Sequence, residues 1–300
     1  MRVALSGSSG FVGRYLARSL AGAGHVVMPM VRTGGAASAG EIDWNPKSGA
    51  LDPQALADVD AIVHLAGEPI AHRWTRDRKR RIRESRVRGT ETIARAMASA
   101  RDRPRVLLSA SAVGIYGNRS DEVLDEGSAP GTDFLATVCT EWERAADPAR
   151  DAGVRVVHMR TGLVLAESGG AMAMMLPPFR AGLGGPMGSG RQWMSWIARE
   201  DFARVVLFLL GADSADGPVN LVAPHPTQNA EFARVLGQVL HRPAVLPVPA
   251  FALTLAFGEM AEHTLLASQR VMPRRLGELG FQFRFPQLAD ALAFELRRDA

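Results

Sequence analysis

Gly7, Gly10 and Gly13 stand three apart, directly after an apolar run at residues 3–5 and directly before a helical pattern. This is the arrangement a pyrophosphate needs: one glycine for a tight turn, one that lets backbone approach the phosphates, and one for close packing of helix on strand. The N–H groups opening such a helix carry roughly half a positive charge, so an anion is favoured there. Ser9, Phe11 and Val12 occupy neighbouring positions of the loop and are expected to face the same ligand. At the end of the second strand of a dinucleotide unit, an acid usually meets the ribose hydroxyls. This chain has Arg32 and Thr33 there. A guanidinium at that point suits a 2′-phosphate, which favours NADP(H) over NAD(H); the alternative is a solvated surface arginine.

Other groups could do chemistry further along. His64, Leu65, Ala66 and Gly67 end an apolar run whose small residues let backbone pass beneath a dinucleotide, with His64 read as a packed strand residue rather than a base. Ser109 and Ser111, followed by Tyr116, set hydroxyl groups at the end of another strand, where ligands bind in open α/β sheets. Arg160, Thr161 and Gly162 close the next run and are expected, with His64, Ser85, Arg86 and Ser109, to line the cofactor site. Nine basic side chains crowd residues 73–88, Arg86 beside Ser85 among them. Asp77 and Glu84 are interspersed, and Ile82, Gly89, Ile93 and Met97 keep one helical face apolar. A solvated helix with one or two inward arginines and a polyanion-binding surface are the two accounts. The single cysteine, Cys139, excludes an internal disulfide and a cysteine-rich zinc site, and the histidines show no metal-like pairing, so no metal is expected.

The elements that must position these groups follow from the pattern. Val12, Leu16 and Leu20 recur at helical spacing, the glycines at 22 and 24 stop that helix, and residues 25–31 form a second strand. The stretch 34–53, rich in glycine and alanine, is a loop. Strands are expected at 60–67, 104–109, 154–159 and 219–222, and helices at 134–146, 202–210 and 229–240, the last capped by Asn229. Five glycines within 182–190 demand a loop, either a mobile lid or a plain crossover. The alternation of strands and helices gives an α/β fold with a parallel sheet. Prolines 243, 247 and 249 separate a last portion, 241–300, with helices near 275–281 and after Pro286.

With 300 residues, 47% of them hydrophobic, and a net charge of +4, the chain has the make-up of an ordinary enzyme-sized protein. Its apolar runs near 203–210 and 250–257 fall short of the ~20 residues that span a bilayer. No secretory leader pattern precedes the first strand, which makes the cytoplasm the expected compartment and a membrane partner unexpected.

In these positions the chain resembles the extended short-chain dehydrogenase/reductase family, through Gly7, Gly10 and Gly13, residues 60–67, 87–90 and 109–117, and Asp201. It is more similar still to the atypical epimerase-like branch, of NAD-dependent epimerase/dehydratase type, that ends in a small domain of unknown function. Residues 67–70, Arg73, Trp74, Ser85, Arg86, 134–143, 182–192 and 247–251 carry that likeness. The resemblance implies a Rossmann-type doubly wound parallel sheet over residues 1–240, with a substrate-side insertion at about 170–195 and a smaller C-terminal substrate-side domain, 241–300. It implies binding of NADP(H), or NAD(H), with a small-molecule substrate held between the sheet and the C-terminal part, and it is compatible with a homo-oligomer. In such enzymes a hydroxyl residue, a tyrosine and a lysine four residues beyond it run the proton chemistry. Ser111 matches the first, with one extra residue before Tyr116. The pair itself is missing, since neither Phe134 with Val138 nor Leu135 with Cys139 can exchange a proton as required. A positioned acid or base contributes ~10²–10⁴ in rate, so catalysis needs a substitute. Tyr116, Glu68 and Ser111 are the candidates. Each has an alternative: Tyr116 packs, Glu68 caps a helix or pairs with Arg73, and Ser111 satisfies backbone groups. Met194 stands where many sugar-nucleotide enzymes grip the diphosphate with arginine, leaving Arg191 and Gln192 as substrate candidates. Two functions follow: an NADP(H)-dependent enzyme acting on a small polar substrate, or a non-catalytic NADP(H)-binding protein that controls an interaction. Nucleic acid is the less favoured partner.

Overall fold

The structure, a computed structural model, describes residues 1–32 and 37–297. Seven strands form one parallel sheet: β1 (Arg2–Ser6), β2 (Val26–Val31), β3 (Ile42–Asp43), β4 (Ala61–His64), β5 (Val106–Ala112), β6 (Arg155–Thr161) and β7 (Gly217–Leu221). Their order is β7-β6-β5-β4-β1-β2-β3, and every pairing is parallel. Chain direction across the sheet reverses between β1 and β4, which is where an open α/β sheet leaves a crevice beyond its carboxyl ends.

The period of two along each strand explains the layering. Val3, Leu5, Val63 and Leu108 face α1 (Phe11–Gly22) and the helix Arg199–Gly211, whose Leu16, Leu20, Phe202 and Val205 complete that core. Ala4, Ile62 and Leu107 face the other way, onto Ile93 and Met97 of α2 (Arg76–Ser99). A third helix, α3 (Phe134–Arg144), starts at Asp133, whose side chain accepts a hydrogen bond from Ala136 N at 2.9 Å. The C-terminal helix Leu288–Arg297 packs Leu288 and Leu292 with Phe232, Leu236 and Trp196. Among the described residues, each apolar cluster that includes part of 241–297 also includes residues of the preceding chain. Among those residues no helix is long and apolar enough to cross a membrane.

Three local expectations need correction, and at the glycine-rich stretch the backbone contacts favour the second of two accounts. The stretch read as a loop before residue 53 contains β3, which pairs with Met30 and Val31 and delivers the buried Trp44 edge-on to His64. The strands expected to stop at 109 and 159 run on to Ala112 and Thr161, so Ser111 and Arg160 are strand residues. Asn229 does not cap its helix; its carboxamide oxygen accepts from Met187 N at 2.7 Å. The glycine-rich 182–190 stretch is a docked crossover. Leu246 N donates to Gly184 O, Val248 N to Pro186 O and Gly188 N to Val248 O. A Cβ on Gly185 would lie 2.0 Å from the Leu246 carbonyl oxygen, so the glycine is required by close backbone approach.

Candidate functional site

Behind β1 the loop geometry gives each glycine its own steric role. Gly7 adopts φ +73°, and an added Cβ would come 3.0 Å from Ala66 N, at the end of β4. Gly10 N donates to Gly7 O at 2.9 Å. A Cβ on Gly13 would fall 2.0 Å from that same oxygen. The α1 helix that follows has Gly10 as N-cap, no side-chain cap and no acid in its first turn. No side chain of the loop caps its opening N–H groups, the arrangement in which a helix N-terminus favours an anion. Phe11 packs on the Gly169–Gly170 turn, where a Cβ on Gly169 would stand 2.6 Å from its ring. Val12 lies against the core, and the Ser9 carbonyl accepts from Arg14 Nη1 at 2.6 Å. Arg32 is exposed just beyond the end of β2; Thr33 lies outside the described residues.

Ser6 fastens the ends of β1 and β4 together. Its Oγ accepts from Leu65 N at 3.1 Å and Ala66 N at 3.3 Å, and stands 2.6 Å from His64 Nδ1. With its acceptor sites so used, the hydroxyl proton points to Nδ1 and the neutral ring carries its proton on Nε2. Burial, with the nearby Arg86 charge, lowers the His64 pKa to about 4. Gly67 lies against the Arg86 guanidinium, which donates to the carbonyls of Glu68 and Ile82 and stacks 5.0 Å over the Trp142 ring. Ser85 Oγ accepts from Glu68 N and donates to Ile82 O. Ser85 and Arg86 hold the Gly67 turn in place, therefore, and Arg86 is the inward arginine of α2. Most of its neighbours are paired: Arg78 and Arg81 with Glu68, Arg80 and Arg81 with Asp77, Lys79 with Glu259, Arg83 with Glu141. Glu68 faces Arg78 at 2.6 Å and not Arg73, whose Nη1 donates to Leu255 O.

Beyond β5 and β6 lies a buried polar network that sequence reasoning did not assemble. Arg160 grips Glu143 through Nε and Nη2, both at 2.9 Å, and donates from Nη1 to Tyr116 Oη at 3.1 Å and to the Glu126 carbonyl. Ser111 Oγ donates to Glu143 Oε1 at 2.7 Å, and Tyr116 Oη donates to Asn220 Oδ1 at 2.7 Å. Tyr116 is wholly buried, and that burial raises its pKa. The Arg160 guanidinium holds the Glu143 pKa below the ordinary carboxylate value against the effect of burial. Ser111 and Tyr116 thus share one network in which both hydroxyls are engaged, and Glu68 belongs to a separate, half-buried cluster with Arg78 and Arg81. Ser109 is buried, Thr161 Oγ1 donates to Met159 O, and Gly162 passes so close to Ser195 that a Cβ would stand 2.4 Å from its carbonyl oxygen. Gln192 donates to the carbonyls of Met187 and Leu265, tying the crossover to the C-terminal segment, while Arg191 is exposed. In α3, Leu135 and Cys139 are buried, and burial pushes the Cys139 thiol up to about 12, so it holds its proton.

Glu143 and Asn220 are the residues the sequence failed to single out. A glutamate beside Trp142 was visible, but its partners lie on other elements. An open pocket of about 660 Å³ borders α1 and the helix Arg199–Gly211, lined by Tyr15, Arg18, Arg199 and Glu200 among others, and includes no residue of the 7–13 loop. Among the described residues no group of histidine, cysteine and acidic side chains gathers as a metal site.

His158, like His64, is buried, and burial lowers its pKa to about 4, from an ordinary 6.5. Both rings stay neutral in the folded chain where an unfolded chain would protonate them. Their contribution to stability is complete above pH 6.5 and is lost as pH falls toward about 4. Melting temperature is expected to drop across that window. A double variant, His64→Asn with His158→Gln, places amides where Nδ1 and Nε2 stood and is expected to flatten the drop; an unchanged slope, followed by calorimetry against pH, removes the two rings as its cause.

Comparison with known proteins bears on the same loop. The profile of the NAD dependent epimerase/dehydratase family matches residues 3–222, and a domain of unknown function, DUF1731, matches residues 248–295. An epimerase family protein of Mycobacterium bovis is 46% identical over 297 residues, covering 99% of this chain and 98% of the relative. The crystal structure of human epimerase family protein SDR39U1 (isoform 2) with NADPH superposes with a TM-score of 0.92 at 36% identity, over 99% of this chain and 100% of the human one. A nucleoside-diphosphate sugar epimerase from Corynebacterium glutamicum gives 0.80 at 38% identity, over 99% of this chain and 58% of that one.

Proposed function

The chain belongs to the NAD dependent epimerase/dehydratase family, and from that premise we propose that it is an NADP(H)-binding, epimerase-like short-chain dehydrogenase/reductase that moves a hydride to or from a small polar substrate. The observation that carries this is the uncapped N-terminus of α1 behind three sterically required glycines, with Arg32 just past the end of β2. The human relative solved with NADPH supports the cofactor choice; NAD(H) is the alternative. Gly7, Ser9, Gly10, Phe11 and Val12 would hold the pyrophosphate, Arg32 and Thr33 the 2′-phosphate, and Leu65, Ala66 and Gly67 the backbone floor beneath it. Bound there, a nicotinamide supplies hydride exchange.

A second function has its own support. Neither Phe134 with Val138 nor Leu135 with Cys139 can stand in for the tyrosine and lysine that would run proton transfer, which favours a non-catalytic NADP(H)-binding protein that controls an interaction. Titration calorimetry with NADPH tests the shared premise, and absence of saturable binding ends both. A library of carbonyl and hydroxyl metabolites then separates them, because catalysed change in the absorbance of reduced nicotinamide excludes the non-catalytic role. Arg32→Asp is expected to shift preference from NADPH toward NADH by roughly ten- to a hundredfold, the worth of a charge-assisted hydrogen bond. An unchanged preference takes Arg32 out of the 2′-phosphate site.

A further inference from the structure

Asp133 and His263 meet beyond the carboxyl end of β5, at the start of the helix from which the tyrosine and lysine are missing. Asp133 caps α3 through Oδ1 and presses on Gly117, where an added Cβ would lie 3.2 Å from Oδ2. Gly117 closes the short turn Val113–Tyr116 that follows β5, and Leu135, in the first turn of α3, packs on Gly114 of that turn. The same Oδ2 stands 3.5 Å from Nδ1 of His263, which is carried by a single π-type turn, Ala261–Leu265, of the C-terminal segment. The imidazole lies parallel to the Trp74 ring, 4° between planes and 6.2 Å between centroids, and Trp74 meets Phe134 edge-on. The histidine side chain is 29% exposed and the aspartate 17%, so the pair is neither sealed in the core nor free in solvent.

A carboxylate fixed by a helix cap 3.5 Å from Nδ1 favours the tautomer that carries its proton on that nitrogen. Nε2 is left with its lone pair on the opposite side, the orientation of a general base. The other candidates lack that freedom: Ser111 and Tyr116 donate to Glu143 and Asn220, and Glu68 faces two arginines. We propose that His263, oriented by Asp133, is the proton-exchanging group of the cleft in place of the absent tyrosine, and that it serves a carbonyl or secondary alcohol of a polar substrate. The inference rests on the NADP(H)-dependent function argued above. In the reducing direction the substrate carbonyl carbon gains a hydride, two electrons and one hydrogen drawn from NADPH, which is oxidised to NADP⁺. The C=O double bond becomes a single bond as its oxygen takes one proton from Nε2 of the imidazolium, and the ring returns to neutral. In the oxidising direction neutral Nε2 takes the hydroxyl proton as the carbon gives up its hydride.

Two variants of the full chain test this without dismantling its surroundings. His263→Phe keeps a ring beside Trp74 and removes both nitrogens. Asp133→Asn keeps a good helix cap and removes the charge. Nitrogen NMR shifts of the His263 ring in the cofactor-free protein are expected to report the Nδ1-protonated tautomer, giving way to a mixture in Asp133→Asn; a wild-type ring protonated mainly on Nε2 overturns the proposal. With NADPH, and with glyceraldehyde, dihydroxyacetone and the carbonyl library as probes, His263→Phe is expected to lower kcat by ~10²-fold or more with an unchanged NADPH Kd, and Asp133→Asn by less. Undiminished turnover in His263→Phe overturns this assignment and leaves the cofactor-dependent enzyme standing. A wild-type protein that binds NADPH and turns over none of the probes overturns the catalytic function, and this inference with it.

Discussion

Gly13→Ala is expected to abolish tight NADPH binding. Its Cβ would fall 2.0 Å from Gly7 O, 2.8 Å from Gly7 C and 3.0 Å from Ser8 Cα. All three are backbone atoms, which cannot swing aside as a flexible side chain would. Gly7 cannot retreat either, since Gly10 N is bonded to its carbonyl at 2.9 Å and Ala66 N lies against its other face. The loop must therefore open or α1 must lift from β1, and either movement disperses the N–H groups aimed at the phosphates. Overpacking of this kind costs ~1–3 kcal/mol, so affinity is expected to fall roughly ten- to a hundredfold or more. Gly22→Ala, in the last turn of the same helix, is the control: a Cβ there meets nothing within 4 Å. That change is expected to leave binding intact and to raise stability by ~0.5–1 kcal/mol through helix propensity. Titration calorimetry on both variants decides the matter, and equal affinities would falsify the steric role given to Gly13.

The contrast between these two glycines marks what sequence could and could not reveal. Spacing at 7, 10 and 13 is local, and strand, turn and helix all lie within a dozen neighbouring residues, so the loop was legible. β3 was not, because Ile42 and Asp43 are a strand only by pairing with Met30 and Val31. Composition likewise announced a loop at 182–190 but not whether it is free or docked, since the carbonyl that demands a glycine at 185 belongs to Leu246. For Glu68 the sequence offers a helix cap or a pairing with Arg73 as alternatives to a chemical role; helix geometry instead brings Arg78 and Arg81 round to it, and Arg73 turns to the backbone of Leu255. The same limit hid Asp133 and His263, which come from segments 130 residues apart and are joined only when the C-terminal segment folds back over α3. Residue type and spacing reveal a site made by one turn of chain. They do not reveal one made by three.

Glu143→Gln is expected to destabilise the whole chain, because the network it anchors has no solvent to fall back on. The carboxylate side chain is 12% exposed and the Arg160 side chain 10%, and the two share a paired contact with both distances at 2.9 Å. Removing the negative charge leaves a guanidinium enclosed beside the neutral Tyr116 hydroxyl and the Glu126 carbonyl, with weaker acceptors than before. Breaking one side of a buried pair costs ~3–5 kcal/mol, on the order of 10 °C in melting temperature for a chain of this size. The pH profile gives an independent reading. Glu143 is held below its ordinary pKa, so its contribution is present above the unfolded carboxylate value and is lost as pH falls through the folded one. The variant is expected to lose part of that acid sensitivity along with the stability. The damage is expected to reach the C-terminal segment, since Asn220, which accepts the hydrogen bond from Tyr116 Oη, donates to Met272 O, and Glu126 accepts from Arg275 N. Replacing both partners, Glu143→Leu with Arg160→Met, is expected to recover most of the loss, because two apolar side chains leave no charge unpaired. A Glu143→Gln protein that melts with the wild type, at every pH, shows instead that the pair only breaks even against its desolvation, and that packing alone holds the sheet to the segment carrying His263.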